Sequence, residues 1–261
     1  MNQEYWQQQT DKPLFPNLLW SRPETKRGAG KLLIIGGQAE EFIHVAESYG
    51  EAEKAGAGTV RVIMPASTAK ITKMLPNIEY APANSSGSFG KIALAELLEA
   101  GRWANGVLLA GDLGKNSETS LLLESFVTKY TGFLIISGSA LPSITVPAID
   151  LFRRENTVLA LELPSLQKLL MSLDFDKPLT SGAGDVELAK ILHELTTEYP
   201  ISISLMFNKQ IWISRKGRVA STKLQSQKSI STVAAQTAVW AIQQPNKIFE
   251  AITCAAYEAS V

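Results

Sequence analysis

The sequence predicts a three-layer α/β/α fold, in which a mostly parallel central sheet carries helices on both faces. The first observation is a series of short, continuous apolar runs, such as residues 31–35, which are typical of strands buried on both faces. The second is that segments with helical spacing separate these runs, as in β-α-β crossover units. The third is that glycine or proline closes many segments, for example at Gly36-Gly37 and at Pro65.

The predicted elements follow one another in a regular order. Strands are predicted at 31–35, 59–63, 78–80, 106–110, 132–136 and 157–161, and helices at 39–55, 67–74, 90–101, 117–129 and 147–154. Helices at 164–172 and 185–197 then precede strands at 201–207, 210–214 and 219–222, which we expect to form an antiparallel hairpin at the sheet edge. Helices near 231–243 and 246–259 follow.

The same pattern predicts one domain with a short extension. Residues 1–17 are polar and Gln-rich, and are interpreted as an N-terminal arm or a short capping helix. Residues 18–261 contain no linker and no internal repeat, so they are expected to form a single domain. The loop at 84–90 (NSSGSFG) is expected to be flexible and exposed, because serine and glycine favour turns.

Composition limits the classes of partner and compartment. The 261 residues carry a formal net charge of zero and no dense Lys/Arg block, which argues against nucleic acid and anionic membranes as partners. The single cysteine, Cys254, excludes an internal disulfide and fits a reducing compartment. No apolar run approaches the ~18–20 residues that span a bilayer, and the N-terminus lacks the apolar region of a signal peptide. We expect a cytoplasmic protein.

Six segments carry a resemblance to a known family. They are 21–38 (SRPETKRGAGKLLIIGGQ), 54–58 (KAGAG), 107–119 (VLLAGDLGKNSET), 134–141 (LIISGSAL), the hairpin 201–219 with Gly217 in its turn, and 248–251 (IFEA). In order and spacing they resemble the NAD(P)H-hydrate dehydratases, a branch of the ribokinase-like (carbohydrate kinase) superfamily. The resemblance covers roughly residues 18–258. It implies a ribokinase-like fold, dehydration of hydrated NADH or NADPH with ATP or ADP and Mg²⁺, and assembly into homo-oligomers.

The turn after the strand at 106–110 is the first candidate binding site. Gly111, Leu113, Gly114 and Asn116 lead from this strand into a helix, where free backbone N–H groups bind anions such as phosphate. The alternative is a tight turn that needs glycine for its dihedral angles. Asp112 stands where the resembled family has glycine, and its carboxylate would repel a phosphate unless a metal intervenes.

The resemblance adds five positions to this candidate nucleotide or substrate site. Gly36 and Gly37 correspond to the family's glycine turn, while Ser137 and Ser139 stand where the family has two aspartates. Lys26 either reaches a substrate phosphate or belongs to a solvated basic turn.

The family's catalytic motif is altered at its expected position. A Gly-Ser-Gly-Asp should lie near residues 229–233, where this chain reads SISTV and Thr232 stands about where the Asp belongs. A His-Pro-Gly-Glu reads ELPS at 162–165, and a Lys-Gly reads Met206-Phe207. Glu162, Met206 and Phe207 are bulky enough to fill the altered pocket.

Few other groups are available for acid–base chemistry. The string GAGD at 182–185 has the composition of the family motif, but it precedes the hairpin, so it is interpreted as a helix start with Asp185 as N-cap. Asp112, Asp185 and Thr232 are the candidate catalytic residues. His44 and His193 are predicted to lie in helices far from the strand ends, and no metal site with His/Cys spacing is visible.

Three functions remain open. The altered motifs favour a non-catalytic relative that binds a nucleotide or a protein partner. The whole-chain resemblance favours an active ADP/ATP-dependent NAD(P)H-hydrate dehydratase. A small-molecule kinase of the wider superfamily is the third, and it needs the same missing Gly-x-Gly-Asp motif.

Overall fold

The computed structural model describes residues 4–72, 77–173, 175, 177 and 179–261, and it confirms the predicted fold class. The described strands are β1 (Trp6–Gln9), β2 (Lys31–Gly36), β3 (Thr59–Pro65), β4 (Ile78–Ala81), β5 (Gly106–Ala110), β6 (Phe133–Ser137), β7 (Thr157–Glu162), β8 (Ser202–Phe207), β9 (Gln210–Arg215) and β10 (Arg218–Lys223). They form one sheet in the order β1-β10-β9-β8-β7-β6-β5-β2-β3-β4. Of these ten strands, β9 alone runs against the others.

Helices cover both faces of the sheet. The described helices are α1 (Pro16–Trp20), α2 (Ile43–Lys54), α3 (Leu94–Trp103), α4 (Ser117–Lys129), α5 (Ala148–Phe152), α6 (Leu163–Ser172), α7 (Asp185–Glu198), α8 (Ile230–Gln243) and α9 (Ile248–Ser260). Helices α3 to α7 pack on one face, and α2, α8 and α9 pack on the other. Strand residues alternate between the two cores, with Leu33 and Ile35 in one and Leu32 and Ile34 in the other.

The N-terminal segment differs from the predicted arm or capping helix. Residues 6–9 form strand β1, which pairs in parallel with β10 and becomes the edge of the sheet. Trp6 stacks on Trp212 with ring centroids 5.4 Å apart, and its indole N–H donates to Ser221 at 3.0 Å. The antiparallel group β8-β9-β10 therefore lies one strand in from the edge.

The loop at 84–90 is exposed only at its tip, Ser85 and Ser86, and its other end is buried. Asn84 Oδ1 accepts the backbone N–H groups of Ser86 and Ser88 at 3.0 and 3.1 Å, and its amide donates to Thr119 at 3.0 Å. Phe89 is completely buried in the core. Part of the helix predicted at 67–74 lies outside the described residues; within them, a 3-10 turn spans Ala66–Thr68.

The sheet topology decides where a ligand could bind. Because nine of the ten described strands point the same way, the loops after β2, β5, β6, β7, β8 and β10 all meet at one edge of the sheet. We call this the carboxyl edge. Open parallel sheets bind their ligands there. Helix α8 packs across β5, β6 and β7 and begins at the same edge.

Candidate functional site

The carboxyl edge contains an open cleft of about 640 Å³. Its walls are the ends of β7 and β8, the turn at 208–209 and the segment 224–228 that leads into α8. Glu162, Met206 and Phe207, which are bulky enough to fill such a pocket, line this cleft and leave it open. Ligand sites commonly have ~300–1,000 Å³, so the cleft is large enough for a nucleotide-sized molecule.

A carboxylate lies at the N-terminus of α8, beside this cleft. Ser229 caps the helix by accepting the N–H of Thr232 at 3.0 Å, and its hydroxyl donates to Glu47 Oε1 at 2.6 Å. The Thr232 hydroxyl lies 3.3 Å from the same oxygen. A helix N-terminus stabilises negative charge through its unpaired N–H groups and dipole. The side chain of Glu47 therefore places a negative charge beside the start of α8.

The start of α8 carries Thr232 about where the resemblance expects an aspartate. Thr232 is largely buried, and a hydroxyl in contact with a carboxylate cannot replace an aspartate as general base. Glu47 reaches the same helix start through the hydroxyl groups of Ser229 and Thr232.

His44 belongs to the same cluster, which corrects the prediction that it lies far from the strand ends. Its Nδ1 lies 3.1 Å from the Ser231 hydroxyl and 3.8 Å from Glu47 Oε2. The helix that follows β2 must start at the carboxyl edge, and His44 is in its first turn. Ser231 is completely buried, so the Ser-His contact does not present a nucleophile to a substrate.

In the Gly-rich turn after β5, the carboxylate of Asp112 bonds to the backbone of the same turn. Asp112 Oδ1 accepts the backbone N–H of Gly114 at 2.8 Å, and Oδ2 accepts the Gln38 amide at 2.9 Å. Leu113 is buried in the core, and Asn116 caps α4 by accepting the N–H of Glu118 at 2.8 Å. The N–H of Gly114, which the sequence offered to a phosphate, is thus already bonded.

The glycines and serines of the candidate site hold the strand ends together. A Cβ at Gly36 would collide with the carbonyl oxygen of Ala110, so only glycine fits between β2 and β5. Gly37 follows with a positive φ of 81°, and Gly111, which has a positive φ of 74°, donates its N–H to Ser139 at 3.1 Å. The hydroxyls of Ser137 and Ser139 lie 3.0 Å apart.

Lys26 lies outside the candidate site. It precedes β2 and lines a small pocket with Gly58 and Thr59, at the start of β3. That is the amino edge of the sheet, and six residues of strand at ~3.3 Å each separate it from the carboxyl edge. A reach to a phosphate at Gly111–Asn116 is therefore excluded by distance.

Asp185 lies at the carboxyl edge but on the layer opposite α8. Gly184, not Asp185, is the N-cap of α7, and Asp185 is the first helical residue. Its carboxylate accepts the Gln210 amide at 3.1 and 3.3 Å, and Gln210 lines the cleft. His193 stacks on Tyr5 with centroids 3.9 Å apart, away from the cleft.

The comparisons with known proteins agree with this geometry at the level of fold. No family model matches the chain, and no curated protein matches it in sequence. A ribokinase-like superfamily protein from Enterococcus faecalis V583 matches in structure with a TM-score of 0.69 and 18% identity, over 100% of this chain and 88% of the other. The chain therefore has the ribokinase-like fold.

Two further solved structures share the fold with different activities. The ADP/ATP-dependent NAD(P)H-hydrate dehydratase of Bacillus subtilis, co-crystallised with ATP and Mg²⁺, matches with a TM-score of 0.61 and 12% identity, over 97% of this chain and 88% of its own. Phosphomethylpyrimidine kinase of Clostridium difficile 630 matches with a TM-score of 0.55 and 12% identity, over 87% of this chain and 98% of its own. Identities this low show the fold alone.

In the ranges that the structure covers, no helix has the length and apolar character needed to cross a bilayer. In the same ranges, no group of three or more His, Cys, Asp or Glu side chains is placed to hold a metal ion.

Proposed function

We propose that this protein is a non-catalytic ribokinase-like protein that binds an adenine nucleotide or nucleoside in the cleft at the carboxyl edge. The observation that carries the proposal is the position of Glu47. Its carboxylate lies at the N-terminus of α8, while the adjoining cleft stays open. A negative charge beside the start of α8 disfavours the anion that would develop there in dehydration or phosphoryl transfer, which supports ligand binding without catalysis.

The cleft offers groups that suit such a ligand. Met206 and Phe207 provide apolar contacts for a base, and Asn208 and Gln210 provide amide groups for its polar edge. Lys209 and Lys228 supply positive charge on its walls. The fold neighbour from Bacillus subtilis was co-crystallised with ATP and Mg²⁺, which supports a nucleotide as the class of ligand. With no metal-binding cluster among the described residues, Mg²⁺ would be held mainly by the nucleotide's phosphates.

The phosphate chain of a nucleotide would contribute little favourable binding free energy at this site. Glu47 and Asp112 already occupy the N–H and hydroxyl groups nearest to the positions expected for phosphate. Two nearby carboxylates also repel an anion. Adenosine is therefore expected to stabilise the protein at least as well as ATP.

Thermal unfolding with added ligands tests the proposal. Adenosine, ATP, ADP, NADH and NADPH are each titrated, and hydrate repair is assayed in the same samples. A ligand at 100 times its Kd adds about 2.7 kcal/mol of stability, which gives a clear rise in Tm. We expect a shift with at least one adenine compound and no turnover.

Two matched tryptophan variants locate the binding site. Ser226 is exposed in the wall of the cleft, so Ser226→Trp should fill the cleft and remove the ligand-induced shift. Ser172 is an exposed serine outside it, so Ser172→Trp should keep the shift. Repair of the hydrate by the wild-type protein would contradict the non-catalytic proposal. A wild-type Tm that no compound moves would contradict nucleotide binding and favour a protein partner.

A further inference from the structure

A second groove lies between helix α6 and the segment 141–151, and it shares no lining residue with the cleft at the carboxyl edge. Its volume is about 350 Å³. Small-molecule sites commonly have ~300–1,000 Å³ and combine mostly apolar walls with a few polar groups. The wall formed by the segment 141–151 is apolar and presents Leu141, Pro142, Ile144, Val146, Pro147 and Leu151.

This apolar wall is fixed by the rest of the fold. Leu151 belongs to the buried core, and Leu141 and Ile144 pack against that core. The backbone N–H of Ile144 donates to the carbonyl oxygen of Leu141 at 2.9 Å, and the two prolines of the wall restrict its backbone further. A wall that is already in place loses little conformational freedom when a ligand covers it.

The opposite wall is one face of α6 and has a different character. Ser165, Lys168, Leu169 and Ser172 line the groove, and their spacing of three and four residues places them on the same side of the helix. Ser172 already donates its hydroxyl to the carbonyl oxygen of Leu169 at 2.8 Å. Within the part of the chain that the structure describes, the Ser165 hydroxyl and the Lys168 ammonium have no partner.

Lys168 gives the groove a positive charge that no lining carboxylate neutralises. Among the described residues that line the groove, it is the only ionisable one. Asp150, an acidic residue of α5, lines a different pocket, together with Arg154. The groove therefore combines one apolar wall with a single unpaired cation on the other wall.

We propose that this groove binds an aliphatic carboxylate of medium chain length, with the chain on the wall 141–151 and the head group on Lys168 and Ser165. The apolar wall favours a hydrocarbon chain, because burying apolar surface drives its binding. Ser165 and Lys168 are one helical turn apart, so both can donate to the oxygens of one carboxylate. The site does not depend on the ligand proposed for the cleft.

Binding of octanoate to the full chain tests the proposal. Isothermal titration calorimetry compares octanoate with 1-octanol, which keeps the chain without the charge, and with acetate, which keeps the charge without the chain. We expect octanoate to bind at one site, about tenfold more tightly than octanol, because the alcohol lacks the ionic contact with Lys168. Acetate should show no binding. Added salt should weaken the binding of octanoate and leave that of octanol unchanged.

A lysine variant tests the head-group contact. Lys168→Met keeps an apolar stem and removes the charge, so it should weaken octanoate binding about fivefold and leave octanol binding unchanged. Lys190 is an exposed lysine of α7 outside the groove, and Lys190→Met is the matched control, expected to bind octanoate like the wild type.

A matched pair of tryptophan variants locates the site. Ser172→Trp should fill the groove and abolish octanoate binding, while Ser226→Trp, in the cleft, should keep it. Circular dichroism and Tm establish that each variant is folded. Octanoate that binds the folded Ser172→Trp or Lys168→Met variant like the wild type, or that binds no more tightly than octanol, would overturn the proposal. So would a wild-type protein that binds no octanoate, which would leave the groove to a protein segment.

Discussion

At the scale of single residues, Arg154 shows how a half-buried charge can serve structure alone. Its guanidinium donates to the carbonyl oxygens of Tyr130, Gly132 at 2.7 Å and Asn156 at 2.9 Å, and to the Thr157 hydroxyl at 2.7 Å. These groups lie at the starts of β6 and β7, on the amino edge. Burial lowers the pKa of Arg154, because removal from water disfavours the charged guanidinium. Its hydrogen bonds to the four oxygen atoms offset this cost.

Replacing Arg154 with methionine should destabilise the protein by about 2–3 kcal/mol, because three carbonyl oxygens lose their donor at once. The neighbouring Arg153 is exposed, and Arg153→Met is the control, expected to change stability by less than ~0.5 kcal/mol. Urea denaturation followed by circular dichroism measures both. Equal midpoints for the two variants would show that the buried bonds contribute nothing.

Single residues also show where prediction from sequence stops. Glu162, Met206 and Phe207 line the cleft at the ends of β7 and β8, and the order of strands fixes which residues end at the carboxyl edge. Glu47 was missed, because a glutamate on a helix has the same pattern whether it faces solvent or the start of another helix. The position of His44 could have been predicted from the sequence, because the first turn of a helix that follows a parallel strand must lie at the carboxyl edge.

At the scale of elements, the strands that the sequence predicts are those with both faces buried. Residues 31–36 and 106–110 read as continuous apolar runs because helices cover them from two sides. Strand β1 reads Trp-Gln-Gln-Gln and has neither a run nor an alternation. Its pairing depends on contacts with β10 and α9, more than 200 residues away in sequence, which no local pattern contains.

Gln9 is the residue that fixes β1, and its loss should be costly. Its amide donates to the Thr222 hydroxyl at 2.9 Å and the Thr253 carbonyl at 3.2 Å, and its Oε1 accepts the N–H of Leu14 at 2.9 Å. Gln9→Ala removes all three bonds and takes a partner from the buried Thr222 hydroxyl, so we expect a loss of about 1–3 kcal/mol in the free energy of unfolding.

Gln8 supplies the matched control for β1, because it is the neighbouring glutamine of the same strand and is exposed. Gln8→Ala should change the free energy of unfolding by less than ~0.5 kcal/mol. Chemical denaturation of the two variants side by side separates the buried hydrogen bonds from any general effect of shortening a side chain. Similar losses for both would contradict the role given to Gln9.

At the scale of the whole molecule, the two cores share one sheet. Alternate residues of the same strands belong to the core under α3–α7 and to the core under α2, α8 and α9. Detaching the helices of either layer would therefore expose one apolar face of strands that the other layer also packs against. We therefore propose that residues 18–261 unfold as a single cooperative unit, although chains above ~150 residues often populate intermediates.

Cys254 provides the test, because it is the chain's one cysteine and lies buried in α9, packed with Trp240 of α8 and Leu18 of α1. Burial, helped by the nearby carboxylates of Glu258 and Glu250, raises the pKa of this thiol to about 12. The reactive thiolate is therefore suppressed in the folded state at pH 8 and becomes accessible only when α9 detaches. In increasing urea, a thiol reagent should react along the same transition as the loss of helical circular dichroism. Reaction at clearly lower urea would show that α9 opens on its own, and the single-unit proposal would then fail, since the layer that carries α8 and α9 would be separable from the rest of the sheet.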